Sequence, residues 1–155
     1  MSSATDLLRS YVDGPHDAET ILSLFAKDGV LEAPYFATFD MPWRFEGHEA
    51  LAKTFGHLAH IYPDLHFENL RVTCASGNVA VGEYEFIATS AVTGRRVHQL
   101  SSIMIVERDG KIALLREFQN MIDIALAIFP DGLGSVHMPD DRNLQIGAFS
   151  GRHDK

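Results

Sequence analysis

The fold is decided by residues 65–120, LHFENLRVTCASGNVAVGEYEFIATSAVTGRRVHQLSSIMIVERDGKIALLREFQN. Long runs with β-strand character follow one another here: Leu65–Ala75, Val79–Thr89, Arg95–Arg108 and Lys111–Asn120. The segments between them are rich in glycine, and the last one, Asp109-Gly110, is typical of a tight hairpin turn. The stretch therefore predicts four consecutive strands in an antiparallel meander.

Helical periodicity lies mainly before this stretch. Apolar residues recur at spacings of three and four in residues 5–12, 17–28 and 48–62. We expect Gly29 to end the second helix in a left-handed C-cap, and Val30–Ala33 to form a short strand that Pro34 ends. A last helix should follow the meander, with Asn120 as its N-cap.

Early helices and late strands, without alternating β-α-β units, predict an α+β fold. Strands of this length twist strongly, so the antiparallel sheet should curve around the N-terminal helices and leave a pocket. A chain of 155 residues has room for one domain, which we expect over residues 1–133. Residues 134–155 are predicted to form a polar C-terminal tail.

Composition excludes several classes of function. Lys and Arg number 13 against 21 Asp and Glu, and the resulting net charge of −8 repels phosphate backbones and anionic lipid. We therefore expect no nucleic-acid or membrane partner. No apolar run approaches the roughly 18 residues of a membrane span, and the N-terminal residues lack the features of a secretory signal. These features predict a soluble, cytoplasmic protein.

Metal and nucleotide motifs are absent from the sequence. There is no GxSxG, GxxxxGK[ST] or GxGxxG pattern, and a lone Cys74 excludes disulfides and multi-thiolate zinc sites. His48-Glu49 begins like a zinc-protease helix, but Ala52 occupies the position of the second histidine. His57 and His60 have a metal-binding spacing but share a helix face with Lys53, and His98 is expected at a surface or sheet edge. We expect no metal and no cofactor.

Glu117 is the candidate catalytic residue. Strand alternation places it on one face with Leu115 and Gln119, and places Arg116 on the other. If the carboxyl points into an apolar pocket, burial raises its pKa toward neutrality, where one group can both accept and donate a proton. The alternative is a carboxylate that pairs with arginine or faces water, and periodicity alone leaves both possibilities open.

Four segments in a recognisable order resemble the nuclear transport factor 2-like superfamily: LFAKDGVLEAP (24–34), RFEGHEALAKTF (44–55), YPDL (62–65) and RDGKIALLREFQN (108–120). Within it, the chain resembles the SnoaL-like polyketide cyclase and ketosteroid isomerase branch, and more closely the phenazine-biosynthesis A/B proteins. The resemblance implies a conical, cystatin-like α+β fold with an interior pocket and a homodimer through the outer sheet face. It also implies that Glu117 matches the acid/base glutamate of the phenazine proteins.

The chain departs from these families at other functional positions. The phenazine proteins have a histidine and a serine where this sequence has Thr54 and Leu58, and an arginine where it has Ile21. Ketosteroid isomerases have their catalytic aspartate where this sequence has Ala33. Glu117 is therefore the one catalytic residue that the resemblance transfers.

Two functional hypotheses follow. In the first, the protein is a cofactor-independent cyclase, isomerase or condensation enzyme that acts on a small, largely apolar carbonyl or imine compound of secondary metabolism. The residues expected to line or orient this substrate are Tyr11, Tyr35, Trp43, Thr54 and Leu58. In the second, it is a non-catalytic module for small-molecule binding or dimerisation, which explains the missing histidine, serine and aspartate. Whether the chain is an enzyme stays open at this point.

Overall fold

A computed structural model describes residues 1–136. The helices within this range are α1 (Ala4–Asp13), α2 (Ala18–Leu24), α3 (Gly47–Ile61) and α4 (Met121–Ile128). The strands are β1 (Phe25–Glu32), β2 (Arg44–Glu46), β3 (His66–Ser76), β4 (Val79–Thr89), β5 (Arg96–Arg108) and β6 (Lys111–Phe118). Short 3₁₀ helices lie at Pro34–Phe39 and Gly132–Ser135. The predicted tail lies outside the described residues beyond its first three positions.

The strands form one curved sheet in the order β2-β1-β6-β5-β4-β3. The predicted antiparallel meander is confirmed as β3 through β6, with each strand paired to the next. Strand β1 joins the free edge of β6 in parallel, and β2 pairs antiparallel with β1. The architecture is the predicted α+β fold, with a sheet that is antiparallel apart from this β1–β6 pair.

Helices α1 to α3 cover the inner face of the sheet. Leu8 of α1 and Leu51 of α3 are completely buried, together with Ile105 of β5 and Leu115 of β6. Helix α1 begins with a capping box in which Ser3 and Asp6 bond each other's backbone N–H groups, and this fixes where the helix starts. No helix in residues 1–136 is long and apolar enough to cross a membrane.

The expected end of the second helix is wrong. Helix α2 ends at Leu24, and the chain already enters β1 at Phe25. Gly29 has a different role, since a Cβ atom there would lie 2.8 Å from the carbonyl oxygen of Ile112 in β6. The pairing of β1 with β6 also shifts register between Phe25 and Val30. Glycine is thus required for the close approach of two backbones at an irregularity in the strand.

The turn between β4 and β5 is fixed to the end of α4. The Arg95 guanidinium donates hydrogen bonds to the carbonyl oxygens of Leu126, Phe129 and Pro130. The Thr93 hydroxyl donates to the carbonyl oxygen of Ala127. These carbonyls belong to the C-terminal end of the helix and the two residues after it, where the backbone lacks intrahelical donors. The predicted N-cap of α4 is also confirmed, because the Asn120 side chain accepts from the N–H groups of its first turn.

Candidate functional site

The Glu117 carboxyl lies on the inner face of β6 and is 7% exposed. Its Oε1 accepts hydrogen bonds from the Tyr11 hydroxyl at 2.9 Å and from the Tyr84 hydroxyl at 2.7 Å. Its Oε2 accepts a longer bond of 3.3 Å from the Gln119 side-chain amide. Side chains from α1, from β4 and from the residue after the end of β6 therefore converge on one carboxyl group.

Register explains how Tyr84 reaches this carboxyl. Glu117 pairs with Ile103 of β5, and Tyr84 pairs with Ser101 on the other side of the same strand. Neighbouring strands lie about 4.8 Å apart, so a tyrosine side chain on the concave face is long enough to extend over β5. Tyr11 lies on the buried face of α1, and this face packs on the sheet, so the tyrosine side chain reaches Glu117 from the helix layer.

Burial and hydrogen bonding act on the pKa of Glu117 in opposite directions. Burial raises the pKa above its ordinary value of 4.5, and this effect exceeds the lowering by the bonds from Tyr84, Tyr11 and Gln119. Burial also raises the pKa of both tyrosines well above 10.0, and the nearby Glu117 charge adds to this. At neutral pH both phenols are therefore protonated donors.

The buried arginine of β6 does not neutralise Glu117. Arg116 lies on the opposite face, where its Nε is 2.7 Å from Oε2 of Glu32. These residues are direct neighbours in the parallel β1–β6 register, and Arg44 contacts the second oxygen of Glu32 at 3.3 Å. The alternative in which Glu117 pairs with arginine is therefore excluded, and the two buried carboxyls occupy different electrostatic environments.

A cavity of about 410 Å³ opens between α2 and α3. Its lining residues come from both helices, from the residues just before α2 and from the segment after α3, and they are His16, Asp17, Ala18, Ile21, Phe55, Leu58, Ala59, Tyr62, Pro63 and Leu65. Leu58 is part of the cavity wall, whereas Glu117 is not among the lining residues. The Phe67 ring connects the two regions, since its centroid lies 4.4 Å from that of His16 and 4.7 Å from that of Tyr84.

Comparison with known proteins identifies the family of the chain. Residues 9–115 match the model of the SnoaL-like domain. The chain belongs to the SnoaL-like domain family. An uncharacterised PhzA/B-like protein of Pseudomonas aeruginosa is 33% identical over 108 residues, which cover 67% of this chain and 73% of that protein.

Solved structures show that the same fold extends across related proteins. A Bacillus subtilis protein with a proposed isomerase activity is 25% identical, has a TM-score of 0.71, and is matched over 80% of this chain and 91% of that one. A phenazine biosynthesis-related protein from Pseudomonas aeruginosa is 20% identical, also with a TM-score of 0.71, over 88% and 87% of the two chains. The described residues of this SnoaL-like domain thus have the conical fold that the sequence predicts.

The remaining predicted site residues of the SnoaL-like domain make other contacts. Tyr35 is 39% exposed and packs its ring on Phe118, which points away from the interior. Trp43 is half-buried before β2, and its carbonyl accepts a hydrogen bond from the Ala33 N–H. Thr54 is half-buried on α3 and donates its hydroxyl to the carbonyl of Ala50. Tyr11, one of the aromatic residues predicted to line the site, donates a hydrogen bond to Glu117.

The sequence reasoning missed Tyr84 and Phe67. Both alternate inward within predicted strands, and that pattern could have placed them on the inner face. Their proximity to Glu117 depends on the strand order β6-β5-β4-β3, which alternation does not supply.

The histidines considered as metal ligands lie outside the interior. His57 and His60 are exposed on α3, and His98 places its Nε2 2.6 Å from Oε2 of Glu85. Within residues 1–136, no group of three His, Cys, Asp or Glu side chains is arranged to hold a metal ion.

Proposed function

We propose that this SnoaL-like domain is a cofactor-independent acid/base enzyme of the cyclase, isomerase or condensation type. Its substrate would be a small, largely apolar carbonyl or imine compound of secondary metabolism. The observation that carries the proposal is the Glu117 carboxyl, which is buried, bound by two phenols and separated by the sheet from Arg116. Membership of the SnoaL-like domain family supports the reaction class. The choice of Glu117 is supported by the resemblance, in which this residue matches the acid/base glutamate of the phenazine-biosynthesis A/B proteins.

The proposed chemistry is a proton transfer at a carbon atom next to the carbonyl or imine group. The ionised Glu117 takes the proton while the C–H bond breaks, and the electron pair moves toward the carbonyl oxygen or imine nitrogen. The neutral carboxyl then returns a proton to the substrate. Because burial raises the pKa of Glu117, its two protonation states are closer in free energy near neutral pH than those of an ordinary glutamate. Such a group contributes about 100- to 10,000-fold to the rate.

In the proposed mechanism, a substrate moves from the cavity to Glu117 past the ring of Phe67. This ring contacts His16 in the cavity wall and also packs on Tyr11 and Tyr84. A substrate in the cavity would reach the carboxyl by displacing the ring. The proposal therefore includes a shift of Phe67 when substrate binds.

A second candidate function is a non-catalytic module that binds a small molecule. It is favoured by the observation that the lining residues of the cavity include Leu58 and Tyr62 but not Glu117. A ligand could occupy about 410 Å³ there without any contact with the carboxyl. In this case Glu117 would stabilise the interior only.

Deuterium exchange distinguishes the two functions. The methyl protons of 2-acetonaphthone, an apolar ketone, are followed by NMR in D₂O with the wild-type protein and with Glu117→Gln. An acid/base enzyme should accelerate exchange, and the variant should lose about 100-fold or more of this acceleration while it still binds the ketone. Binding without acceleration by the wild-type protein would support the non-catalytic module. Equal acceleration by both proteins would reject Glu117 as the catalytic group.

We also propose that the protein forms a homodimer through the outer face of the sheet, as the resemblance implies. Leu100 of β5 is 63% exposed on this face, and the half-buried Met104 and Val81 pair across the neighbouring strands. A second copy of the chain would cover these apolar side chains, which supports the choice of this face.

A further inference from the structure

Three buried polar atoms in the described part of the chain have no hydrogen-bond partner: the Tyr62 hydroxyl, Nε2 of Gln99 and the Ser101 hydroxyl. Burial without a partner is costly for an amide or hydroxyl, so such atoms are uncommon in folded proteins. An ordered water or a bound ligand would complete their hydrogen bonds.

These three groups lie along one route through the interior. Gln99 and Ser101 occupy alternate positions of β5 and face inward, opposite Phe86 and Tyr84 respectively. The Tyr62 ring packs edge-on against Phe86 with a centroid distance of 5.5 Å. Because Tyr62 also lines the cavity, the set extends from the cavity wall to the tyrosine that bonds Glu117.

The available atoms are mainly hydrogen-bond donors. Oε1 of Gln99 already accepts a bond of 2.6 Å from the Asn120 N–H, which leaves the amide NH₂ available. The Ser101 hydroxyl lies beside the Tyr84 hydroxyl without the geometry of a full hydrogen bond. The hydroxyl of Tyr62, the residue directly after α3, is shielded from water in the core.

The expected partner is therefore a neutral acceptor. The unpaired groups are themselves uncharged, and the neighbouring interior residues Glu117 and Tyr84 supply no positive charge. An anionic ligand would meet the Glu117 carboxyl without a counter-charge, since Arg116 lies on the other face of the sheet. The rings of Phe67 and Phe86 provide apolar surface for the rest of the molecule.

We propose that Tyr62, Gln99 and Ser101 form the recognition site for carbonyl or hydroxyl oxygens of a neutral, otherwise apolar ligand. The inference deepens the proposed function, because it places substrate recognition in the same interior as Glu117. The recognition site requires only that the ligand binds, whereas the proposed function also requires proton transfer. The first proposal can therefore fail or succeed independently of the second.

The test compares a ketone with a hydrocarbon of the same shape. Dissociation constants of 2-acetonaphthone and 2-isopropenylnaphthalene are measured for the wild-type protein, Tyr62→Phe, Ser101→Ala and the double variant. The matched controls are Tyr35→Phe, which removes a hydroxyl outside the interior, and Ser102→Ala on the outward-facing side of β5. The carbonyl stretching frequency of the bound ketone is recorded by infrared spectroscopy.

The wild-type protein should prefer the ketone about tenfold, and each single variant should reduce this preference about threefold. The double variant should remove it, and both controls should preserve it. The carbonyl frequency should fall on binding to the wild-type protein and shift back in the variants. Tyr62→Phe should leave the thermal stability of the free protein unchanged or raised, whereas a hydroxyl with a purely structural bond would lower it on removal.

Three results would overturn the inference: equal binding of both probes to the wild-type protein, binding of neither, or an undiminished ketone preference in the double variant. Glu117→Gln separates this site from the catalytic proposal. It should retain the ketone preference while it loses deuterium exchange. If the wild-type protein prefers the ketone but does not accelerate deuterium exchange, the catalytic proposal is rejected and the proposed recognition site is retained.

Discussion

Arg116 and Glu117 are consecutive residues of β6 whose buried side chains point to opposite faces of the sheet. Arg116 binds the Glu32 carboxylate on the outer face, and Glu117 accepts hydrogen bonds from tyrosines on the inner face. Strand alternation thus separates the positive charge from the candidate catalytic carboxyl by the thickness of the sheet. A shift of register by one residue would exchange these environments and place a guanidinium beside the tyrosines.

We predict that Glu32→Gln strongly destabilises the protein. Glu32 is 1% exposed and faces two arginines, so the substitution removes the negative charge that compensates a buried guanidinium. Loss of one partner from such a pair typically costs roughly 3–5 kcal/mol. Urea denaturation measures the change, and Glu46→Gln is the control, because the Arg44–Glu46 pair is largely exposed and contributes about 0–1 kcal/mol. Equal effects of the two substitutions would contradict the prediction.

The stability of the wild-type protein should depend on pH through Glu117. Since burial raises its pKa above 4.5, the folded chain binds this proton more tightly than the unfolded chain. Its stabilising contribution is complete in acid and is lost as pH rises from about 4.5 through the pKa of the folded state.

Glutamine does not titrate, so the stability of Glu117→Gln relative to wild type should rise across this window and then become constant. Each tenfold difference in proton affinity corresponds to about 1.4 kcal/mol. Urea denaturation of both proteins from about pH 4 to about pH 8 tests the expectation. A stability difference that is independent of pH would show that the pKa of Glu117 is the same in both states.

The two tyrosines should influence Glu117 unequally. Both hydroxyls donate to the carboxyl and thereby lower its pKa, with the larger effect from Tyr84 at the shorter distance. Tyr84→Phe should therefore raise the pKa of Glu117 more than Tyr11→Phe does. Carbon-13 NMR titration of labelled glutamate carboxyls would measure both values, and Tyr35→Phe should leave the pKa unchanged. A lower pKa in either interior variant would refute the assigned donor role.

Two glycine substitutions should have opposite effects. At Gly29 a new Cβ would lie within 3 Å of the carbonyl oxygens of Ile112 and Ala26, so Gly29→Ala should destabilise the protein by about 1–3 kcal/mol. At Gly56, in the exposed middle of α3, a Cβ would meet nothing within 4 Å. Gly56→Ala should stabilise the helix by roughly 0.5–1 kcal/mol. Thermal denaturation of both variants measures these changes in stability. If Gly29→Ala left the stability unchanged, the close approach of the two backbones would not explain the glycine at this position.

If the protein is a homodimer through the outer face of the sheet, a charged substitution on that face should lower its molecular mass in solution. Leu100→Lys should convert the dimer to a monomer, because two copies of the lysine would lie in an apolar interface. Light scattering coupled to size-exclusion chromatography measures the mass. Val92→Lys is the control, since Val92 is also exposed but lies in the turn after β4. A wild-type monomer, or a dimer unaffected by Leu100→Lys, would exclude this interface.

Local chemistry was sufficient for much of the fold. Asn120 marks the start of α4 through its side-chain oxygen, and the Asp109-Gly110 turn marks the hairpin between β5 and β6. The end of α2 was not predictable in the same way. Phe25 enters a strand because β1 pairs with β6, which is far away in sequence, and this contact overrides the local preference for a helix.

The candidate site was predictable to the extent that it follows from alternation. Alternation gives the correct face for Glu117, and helix periodicity gives the buried face that contains Tyr11. The position of Tyr84 beside Glu117 could not be predicted without the order of the strands in the sheet. Tyr35 was expected inside because aromatic residues cluster in its segment, but Phe118 on the outer face offers it an equally apolar surface.

Because Arg95 and Thr93 bond the last carbonyls of α4 and that of Pro130 just after it, we expect the β4–β5 turn and this helix to open as one cooperative unit. Neither can detach from the sheet without exposing the same set of polar groups to solvent. Amide hydrogen exchange should therefore proceed at matched rates in the two segments, and Arg95→Ala should accelerate both together while exchange in β4 stays slow.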